Sequence, residues 1–224
     1  MPPSEHLFSY YNVLLLLMGF AATLLLSLAG CLGGFIGGVV IGVARVSQAK
    51  AMAPIRAVAF AYCLLLRRVP FLVTLMLVFF ASQWTGANLP TIAVALVSAT
   101  MIASAYLGEV VRGGLISVHA NQWEAAATLN FSYLATLRYV ILPQAWRIIV
   151  PPTFGFLVLF IKDTALASQI GVMELTSAGK VLNDKGFPAG LVYGSILVLY
   201  FLMSYPLARF GKRLERNLAA ARIH

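Results

Sequence analysis

The sequence has little charge for its length. Only 10% of its 224 residues are Asp, Glu, Lys or Arg, whereas 61% are hydrophobic. Soluble domains carry charge on roughly a quarter of their residues, so this composition excludes an ordinary water-soluble protein. The apolar residues form long runs, and the run at 13–44 contains no charge. Such a run predicts a membrane-spanning helix, because the hydrocarbon core is about 30 Å thick and a helix rises about 1.5 Å per residue.

Cysteine and histidine are also scarce. Cys31 and Cys63 fall in different apolar runs without CxxC spacing, which favours buried small side chains over a disulfide or a ligand role. His6, His119 and His224 all lie outside the apolar runs. This placement argues against an intramembrane enzyme with a Ser/His pair, and against a histidine metal site within the membrane. We therefore expect no catalytic residue and no metal ligand.

The apolar runs predict an all-α polytopic membrane protein with a single domain, 1–224. We expect five transmembrane helices, at about 13–44, 57–80, 89–111, 139–161 and 186–208. Glycines of the first run have small-xxx-small spacings, which favour close approach by another helix of this chain or of a second copy.

The positive charge predicts the orientation in the membrane. Eleven Lys and Arg residues follow the first and third spans or lie in the C-terminal tail, against three on the other side. The positive-inside rule then places the N-terminus outside and the C-terminus in the cytoplasm. The net charge of +9 does not indicate a nucleic-acid partner, because the basic residues alternate with apolar runs.

One polar segment, 119–138, interrupts the apolar runs on the predicted cytoplasmic side. Asn121 followed by Glu124 is a capping-box pattern, which predicts that a helix begins there. Asn130 suits a left-handed corner, Ser132 suits the cap of a second helix, and Pro143 suits the first turn of the next span. The physics leaves two alternatives open: a hairpin packed on its own chain, or a docking element for a partner.

The same segment resembles the EAA loop of the membrane permease subunits of ATP-binding-cassette (ABC) importers. Matching residues are Glu124, Ala125, Ala126, Leu142 and Pro143, with Val140 in an Ile position and Asn130 in the usual Gly position. The stretches "AYLGEVVRGGLISV", "ILPQAWRIIVPP" and "KDTALASQIGVMEL" are similar to the branch that moves polar amino acids. "RRVP" at 67–70 stands where that branch often has RGTP, and this departure bears on substrate choice.

The resemblance implies a type I ABC importer permease fold. It implies that 119–138 couples to a cytoplasmic ABC ATPase dimer, that a second permease subunit, identical or homologous, completes the path, and that an extracytoplasmic binding protein delivers an amino acid. The chain has no GxxxxGK[ST] phosphate loop, so ATP and Mg would be bound by the partner ATPase. We expect a multi-pass protein of the bacterial inner membrane, surrounded by lipid.

Charged residues within spans are costly and normally face a polar cavity or a partner. Arg67 and Arg68, beside Pro70, and the pair Pro151 and Pro152 predict interrupted helices at mid-membrane depth, where they would line a substrate path. The alternatives are that Arg67 only pairs with an acid such as Glu109, or that the two arginines reach outward.

The sequence "KDT", which is Lys162, Asp163 and Thr164, is predicted to close the fourth span on the outer side. Lys162 and Asp163 are either an interface ion pair or, as the resemblance implies, a gate and ligand contact. Glu109 and Arg112 either belong to the path or form a structural i, i+3 pair.

A gated channel, or a structural membrane subunit of another complex, is the alternative to a transport subunit. The sequence shows no repeated ring-forming filter motif, and a coupling loop would have no purpose in a channel.

Overall fold

The computed structural model describes residue 7 and residues 9–220, with side chains as far as 218. His6 and His224 lie outside the described residues. The described backbone contains helices and no strand. We number the α-helices α1 (Tyr10–Val46), α2 (Ala53–Arg68), α3 (Phe71–Trp84), α4 (Thr91–Ile116), α5 (Ala120–Thr128), α6 (Tyr133–Thr136), α7 (Leu142–Asp163), α8 (Leu175–Asp184) and α9 (Ala189–Ala220). Of these, four regions are long and apolar enough to cross a membrane, or five if α2 and α3 together form one span.

The glycines of α1 lie against α4, and this packing forms the centre of the molecule. A Cβ atom at Gly38 would lie 2.8 Å from the backbone nitrogen of Gly108, and one at Gly30 would lie 2.8 Å from the Cβ of Ala99. Small residues therefore face each other on both helices, and the two backbones approach closely. The small-xxx-small pattern thus serves packing within the chain, which is one of the two alternatives that the sequence left open.

The second predicted span, 57–80, is not one straight helix. It divides into α2 and α3, whose axes differ in direction by 112°. The break falls at Val69, which is extended (φ −94°, ψ 134°), followed by Pro70. Proline disfavours a helical conformation in the residue before it and has no N–H to continue the helix. The prediction of a break at Pro70 is confirmed, and the bent pair of α2 and α3 is either one broken span or a re-entrant loop.

The fourth predicted span is less interrupted than the sequence suggested. Helix α7 continues through Pro151 and Pro152, so the expectation of a broken helix at these prolines is wrong. The irregular part comes earlier, where 137–141 form a π-helical turn that leads into α7. Helices α4 and α9 pack against α7, and neighbouring helices are what make prolines tolerable in a membrane helix.

The short helices α5 and α6 connect α4 to α7 on one side of the bundle. This side also holds the C-terminal end of α1, because the Tyr133 hydroxyl donates a hydrogen bond to the Val43 carbonyl (3.3 Å). We call it the loop side. Helix α8 packs on the opposite half of α1, where a Cβ atom at Gly19 would lie 3.0 Å from the Glu174 carbonyl oxygen.

Candidate functional site

Helix α5 begins two residues earlier than the sequence pattern predicts. Its N-cap is His119, whose Nδ1 accepts a hydrogen bond from the Asn121 backbone N–H (3.3 Å). The predicted capping box of Asn121 and Glu124 is therefore wrong. The imidazole nitrogen of His119 accepts a hydrogen bond at the helix start, the role that was expected of the Asn121 side chain. Any acceptor can serve here, because the first N–H groups of a helix have no partner within the helix.

The corner after α5 follows the sequence prediction closely. Asn130 is left-handed, with φ of 58°. The Asn130 N–H donates to the Ala127 carbonyl (2.9 Å) and the Phe131 N–H donates to the Ala126 carbonyl (3.0 Å). This pair of bonds is the Schellman arrangement that closes helix C-termini. Ser132 then caps α6 by accepting a hydrogen bond from the Ala135 N–H (3.3 Å).

The α5–α6 segment is held on the bundle by aromatic and polar contacts. The Trp123 ring stacks on the Tyr133 ring, with 6.2 Å between centroids and 24° between planes. The Gln144 side chain, in the first turn of α7, donates to Gln122 Oε1 (3.1 Å). Beneath the segment, one apolar cluster joins α4, the π-helical turn and α7: Val111, Leu115, Val118, Leu137, Ile141, Ala145 and Ile149. A displacement of α5 would therefore be transmitted directly to α4 and α7.

The matched EAA residues do not share one surface. Glu124 and Ala125 are exposed, as are Asn130 and Pro143, while Leu142 is half-buried. Ala126, one of the matched EAA residues, is 2% exposed and faces the bundle, so it cannot contact a partner directly. The most exposed large apolar side chains of the segment are those of Leu129 (70%) and Leu134 (73%), which sequence reasoning missed. Their position after a polar helix start gave no signal that they face outward.

Three arginines from three helices surround Glu109 on α4. Arg45 donates from Nη1 to Glu109 Oε2 (2.5 Å), and Arg112 donates from Nε to Oε1 (2.9 Å). Arg67 lies further away, with 3.5 Å between its Nη1 and Oε2, and its guanidinium stands 5.6 Å from the centre of the Tyr106 ring. We call Glu109 and these three arginines the arginine cluster. Arg67 thus pairs with Glu109, and Glu109 with Arg112, as the structural alternatives for these residues predict.

The arginine cluster is not at the middle of the membrane helices. Glu109 follows Gly108, which packs on Gly38 of α1. Gly38 is ten residues from Leu28, the central residue of the 37-residue helix α1, which corresponds to about 15 Å. The arginine cluster therefore lies towards the loop-side end of α1, and the depth of Arg67 in the membrane stays a prediction.

The KDT sequence lies beside the middle of α1. The Thr164 hydroxyl lies 3.2 Å from the Ser27 hydroxyl and donates to the Ile161 carbonyl (2.8 Å). Lys162 and Asp163 are exposed beside it, at the C-terminal end of α7. Helix α7 ends at Asp163, where the sequence predicts the end of the fourth span, and the position of this end on the outer side stays a prediction. The candidate path residues thus lie in two groups, the arginine cluster with Arg68 and the KDT group.

A cleft of about 420 Å³ opens between α7 and α9 next to the KDT group. It is lined by Lys162, Leu197, Tyr200, Phe201 and Ser204. The Ser204 hydroxyl is buried and has no hydrogen-bond partner among the described residues. The cleft therefore presents one cation and one free hydroxyl within an apolar wall.

Glu174 is a buried carboxylate that sequence reasoning missed. It caps α8 by accepting hydrogen bonds from the backbone N–H groups of Thr176 (2.8 Å) and Ser177 (2.7 Å), and the Tyr200 hydroxyl donates to it (3.1 Å). Burial raises the pKa of Glu174, and the hydrogen bonds from Thr176 and Ser177 lower it in part. A glutamate three residues before Ser177 in "ELTS" is the signal in the sequence that could have found this cap.

The described residues contain no group of three or more His, Cys, Asp or Glu side chains placed to hold a metal ion. Cys31 and Cys63 are buried and free. The candidate functional groups described above are charged side chains, hydroxyl side chains and the exposed surface of the α5–α6 segment.

Comparison with known proteins gives consistent matches over most of the chain. Residues 34–218 match the family described as binding-protein-dependent transport system inner membrane component. The chain is similar to a probable amino-acid ABC transporter permease protein, YckA, of Bacillus subtilis, with 33% identity over 90% of this chain and 88% of that protein. It is similar to the glutamine transport system permease protein GlnP of Escherichia coli, with 32% identity over 91% of this chain and 93% of that one.

Among solved structures, the chain matches a crystal structure of an amino acid ABC transporter with histidines. The TM-score is 0.82, with 29% identity, over 92% of this chain and 94% of the other. The fold is therefore that of an all-helical ABC permease subunit.

Proposed function

Because the chain belongs to the family of binding-protein-dependent transport system inner membrane components, we propose that it is the permease subunit of an ATP-driven importer for a polar amino acid. The observation that carries this proposal is the α5–α6 segment. Its exposed outer surface is attached through one apolar cluster to the loop-side ends of α4 and α7. The names of its relatives, which include amino-acid and glutamine permeases, support the substrate class.

In this proposal the α5–α6 segment docks on a cytoplasmic ABC ATPase dimer. Glu124 and Ala125 lie on the outer surface of α5, with Leu129 and Leu134 beside the corner. Exposed leucines next to a short polar helix suit an apolar groove on a partner, in the way that amphipathic helices dock. ATP and Mg are bound by that ATPase, and this chain supplies no nucleotide site of its own. The loop side is then cytoplasmic, with the C-terminus on it and the N-terminus outside, in a bacterial inner membrane.

The substrate path in this proposal runs past the KDT group. An amino acid carries both a carboxylate and an ammonium group, and Lys162 and Asp163 offer both signs of charge side by side. Thr164 is tied to α1 by its hydroxyl contact with Ser27, so the position of these charges depends on how α7 packs on α1. A second permease subunit, identical or homologous, closes the path, and an external binding protein delivers the substrate.

Reconstituted uptake tests the proposal. The full-length chain is assembled with its ATPase and binding protein in liposomes, and uptake of labelled glutamine, cystine and histidine is measured with and without ATP. We expect ATP-dependent accumulation of at least one amino acid. Single-channel currents without ATP, or uptake that does not depend on ATP, would instead support the alternative function of a gated channel.

A further inference from the structure

The arginine cluster and its neighbour Arg68 carry more positive charge than the protein itself balances. Three guanidinium groups lie near the single carboxylate of Glu109, and Arg68 follows Arg67 at the end of α2. Arg45 and Arg112 hydrogen-bond to the two carboxylate oxygens. No ion pair links Arg68 to an acidic side chain within the described part of the chain. An excess of cations at the edge of an apolar bundle is expected to attract an anion.

Arg67 has free hydrogen-bonding capacity for such an anion. Its contact with Glu109, at 3.5 Å, is an ion pair that is too long for a good hydrogen bond. Its guanidinium makes no hydrogen bond to another residue in the range that the structure describes, and 40% of its side chain is exposed. A planar guanidinium with open N–H groups is suited to phosphate oxygens, which it can bind with two parallel hydrogen bonds.

The depth of the cluster matches that of a phospholipid headgroup. Glu109 is level with Gly38 of α1, about 15 Å from the centre of that helix and so close to the edge of the hydrocarbon core. The phosphate groups of a bilayer begin at this level. Basic groups between transmembrane helices at this depth are suited to anionic headgroups.

The surface beside the cluster is suited to acyl chains. Helix α2, which carries Arg67 and Arg68 at its end, exposes Phe60 (54%), Leu64 (45%) and Leu65 (63%) within about two turns of them. A soluble anion such as free phosphate would gain nothing from these apolar side chains. A lipid would bury its chains against them while its phosphate contacts the guanidinium groups.

We propose that Arg67 and Arg68, with the arginine cluster behind them, form a binding site for one anionic phospholipid. The phosphate binds to Arg67 and Arg68, and the acyl chains lie along the apolar surface of α2. The site holds α2 against α4 at the break before Pro70, and it is distinct from the KDT group. This site stands apart from the proposed transport function, since the chain alone would bind the lipid.

Native mass spectrometry of the full-length chain tests the site. The chain is titrated in detergent with phosphatidylglycerol, phosphatidylcholine or inorganic phosphate. We expect one phosphatidylglycerol to bind at least tenfold more tightly than phosphatidylcholine, and inorganic phosphate at equal concentration not to displace it. The variant Arg67→Gln/Arg68→Gln should lose most of this preference, since each basic residue near an anionic lipid contributes measurably to binding.

The matched control is Arg138→Gln/Arg209→Gln, which removes the same charge from two other exposed arginines. Each of these two also stands 5.6 Å from the centre of a tyrosine ring, as Arg67 does. We expect the control to retain the bound phosphatidylglycerol. Equal loss in both variants would mean that only total charge matters, and unchanged binding in the first variant would mean that the arginines serve helix packing alone. Displacement by inorganic phosphate would point to a simple anion site. Each of these results overturns the proposal.

Discussion

The hydroxyl oxygens of Ser27 and Thr164 lie 3.2 Å apart and join the middle of α1 to the end of α7. Both side chains also hydrogen-bond to the backbone of their own helices, Ser27 to the Thr23 carbonyl (2.7 Å) and Thr164 to the Ile161 carbonyl (2.8 Å). The contact therefore fixes where the two charged residues that precede Thr164 lie along α1. In the proposed function Lys162 and Asp163 line the substrate path at this position.

We expect Asp163→Asn to lower amino-acid uptake by roughly tenfold or more without reducing assembly. The change removes one charge from the pair that would bind a zwitterion, and losing a charge-assisted contact costs about 1.5–3 kcal/mol. The measurement is uptake by the reconstituted complex, normalised to the amount of assembled protein. Asp184→Asn, at the exposed C-terminal end of α8, is the control and should transport normally. If Asp163→Asn takes up the amino acid at the parental rate, the KDT group does not line the substrate path.

Ala125→Trp should uncouple transport from ATP hydrolysis. Ala125 is exposed on α5, so a large side chain there alters the stability of the chain by no more than about 0.5 kcal/mol, whereas it blocks close docking of a partner. We expect normal expression, weaker ATPase co-purification and loss of uptake.

Ala126→Trp is the informative comparison for this segment. Because Ala126 is 2% exposed, the tryptophan has to be forced into the apolar contact beneath α5, at a cost of about 1–3 kcal/mol or more. We expect lower thermal stability for Ala126→Trp and not for Ala125→Trp. ATPase binding retained by Ala125→Trp would mean that α5 is only a hairpin on its own chain.

Glu109→Gln should destabilise the chain more than a surface substitution does. The carboxylate holds Arg45, whose side chain is 10% exposed, and removing it leaves several guanidinium groups close together. Loss of one member of a well-buried ion pair costs about 3–5 kcal/mol, and partial exposure of Glu109 reduces this to about 2 kcal/mol. For a chain of this size we expect a fall in Tm of about 4–8 °C, measured in detergent. Glu124→Gln, on the exposed side of α5, should leave Tm within about 2 °C of the parent.

Gly34→Ala tests the contact between α1 and α4. A Cβ atom at Gly34 would overlap the Cβ of Ala103, which itself is fully buried. Overpacking of this kind costs about 1–3 kcal/mol. Gly113→Ala is the matched control within α4, because a Cβ atom there would meet no other atom within 4 Å. We expect a lower Tm for Gly34→Ala only, and equal Tm values would mean that the helices can separate at no cost.

Local signals in the sequence predicted local structure well. The left-handed corner at Asn130, the cap at Ser132 and the break at Pro70 each depend on the chemistry of one or two residues, and all three are present. The prediction of a capping box at Asn121 and Glu124 was wrong because the start of that helix depends on more residues than these two. Several side chains near a helix start compete for the same N–H groups, and His119 satisfies one of them.

The sequence by itself determined that this is a helical membrane protein, because long uncharged runs have no other stable place than lipid. It also determined where the polar segment between α4 and α7 lies and where that segment turns. Long-range contacts and exposure were decided only by the tertiary structure. Arg67 reaches Glu109 because α2 packs against α4, and Thr164 reaches Ser27 because the end of α7 packs against α1. Ala126 is buried and Ala125 is exposed because the bundle lies beneath one side of α5. Each of these depends on the relative position of two helices far apart in sequence, which no local pattern of residues records.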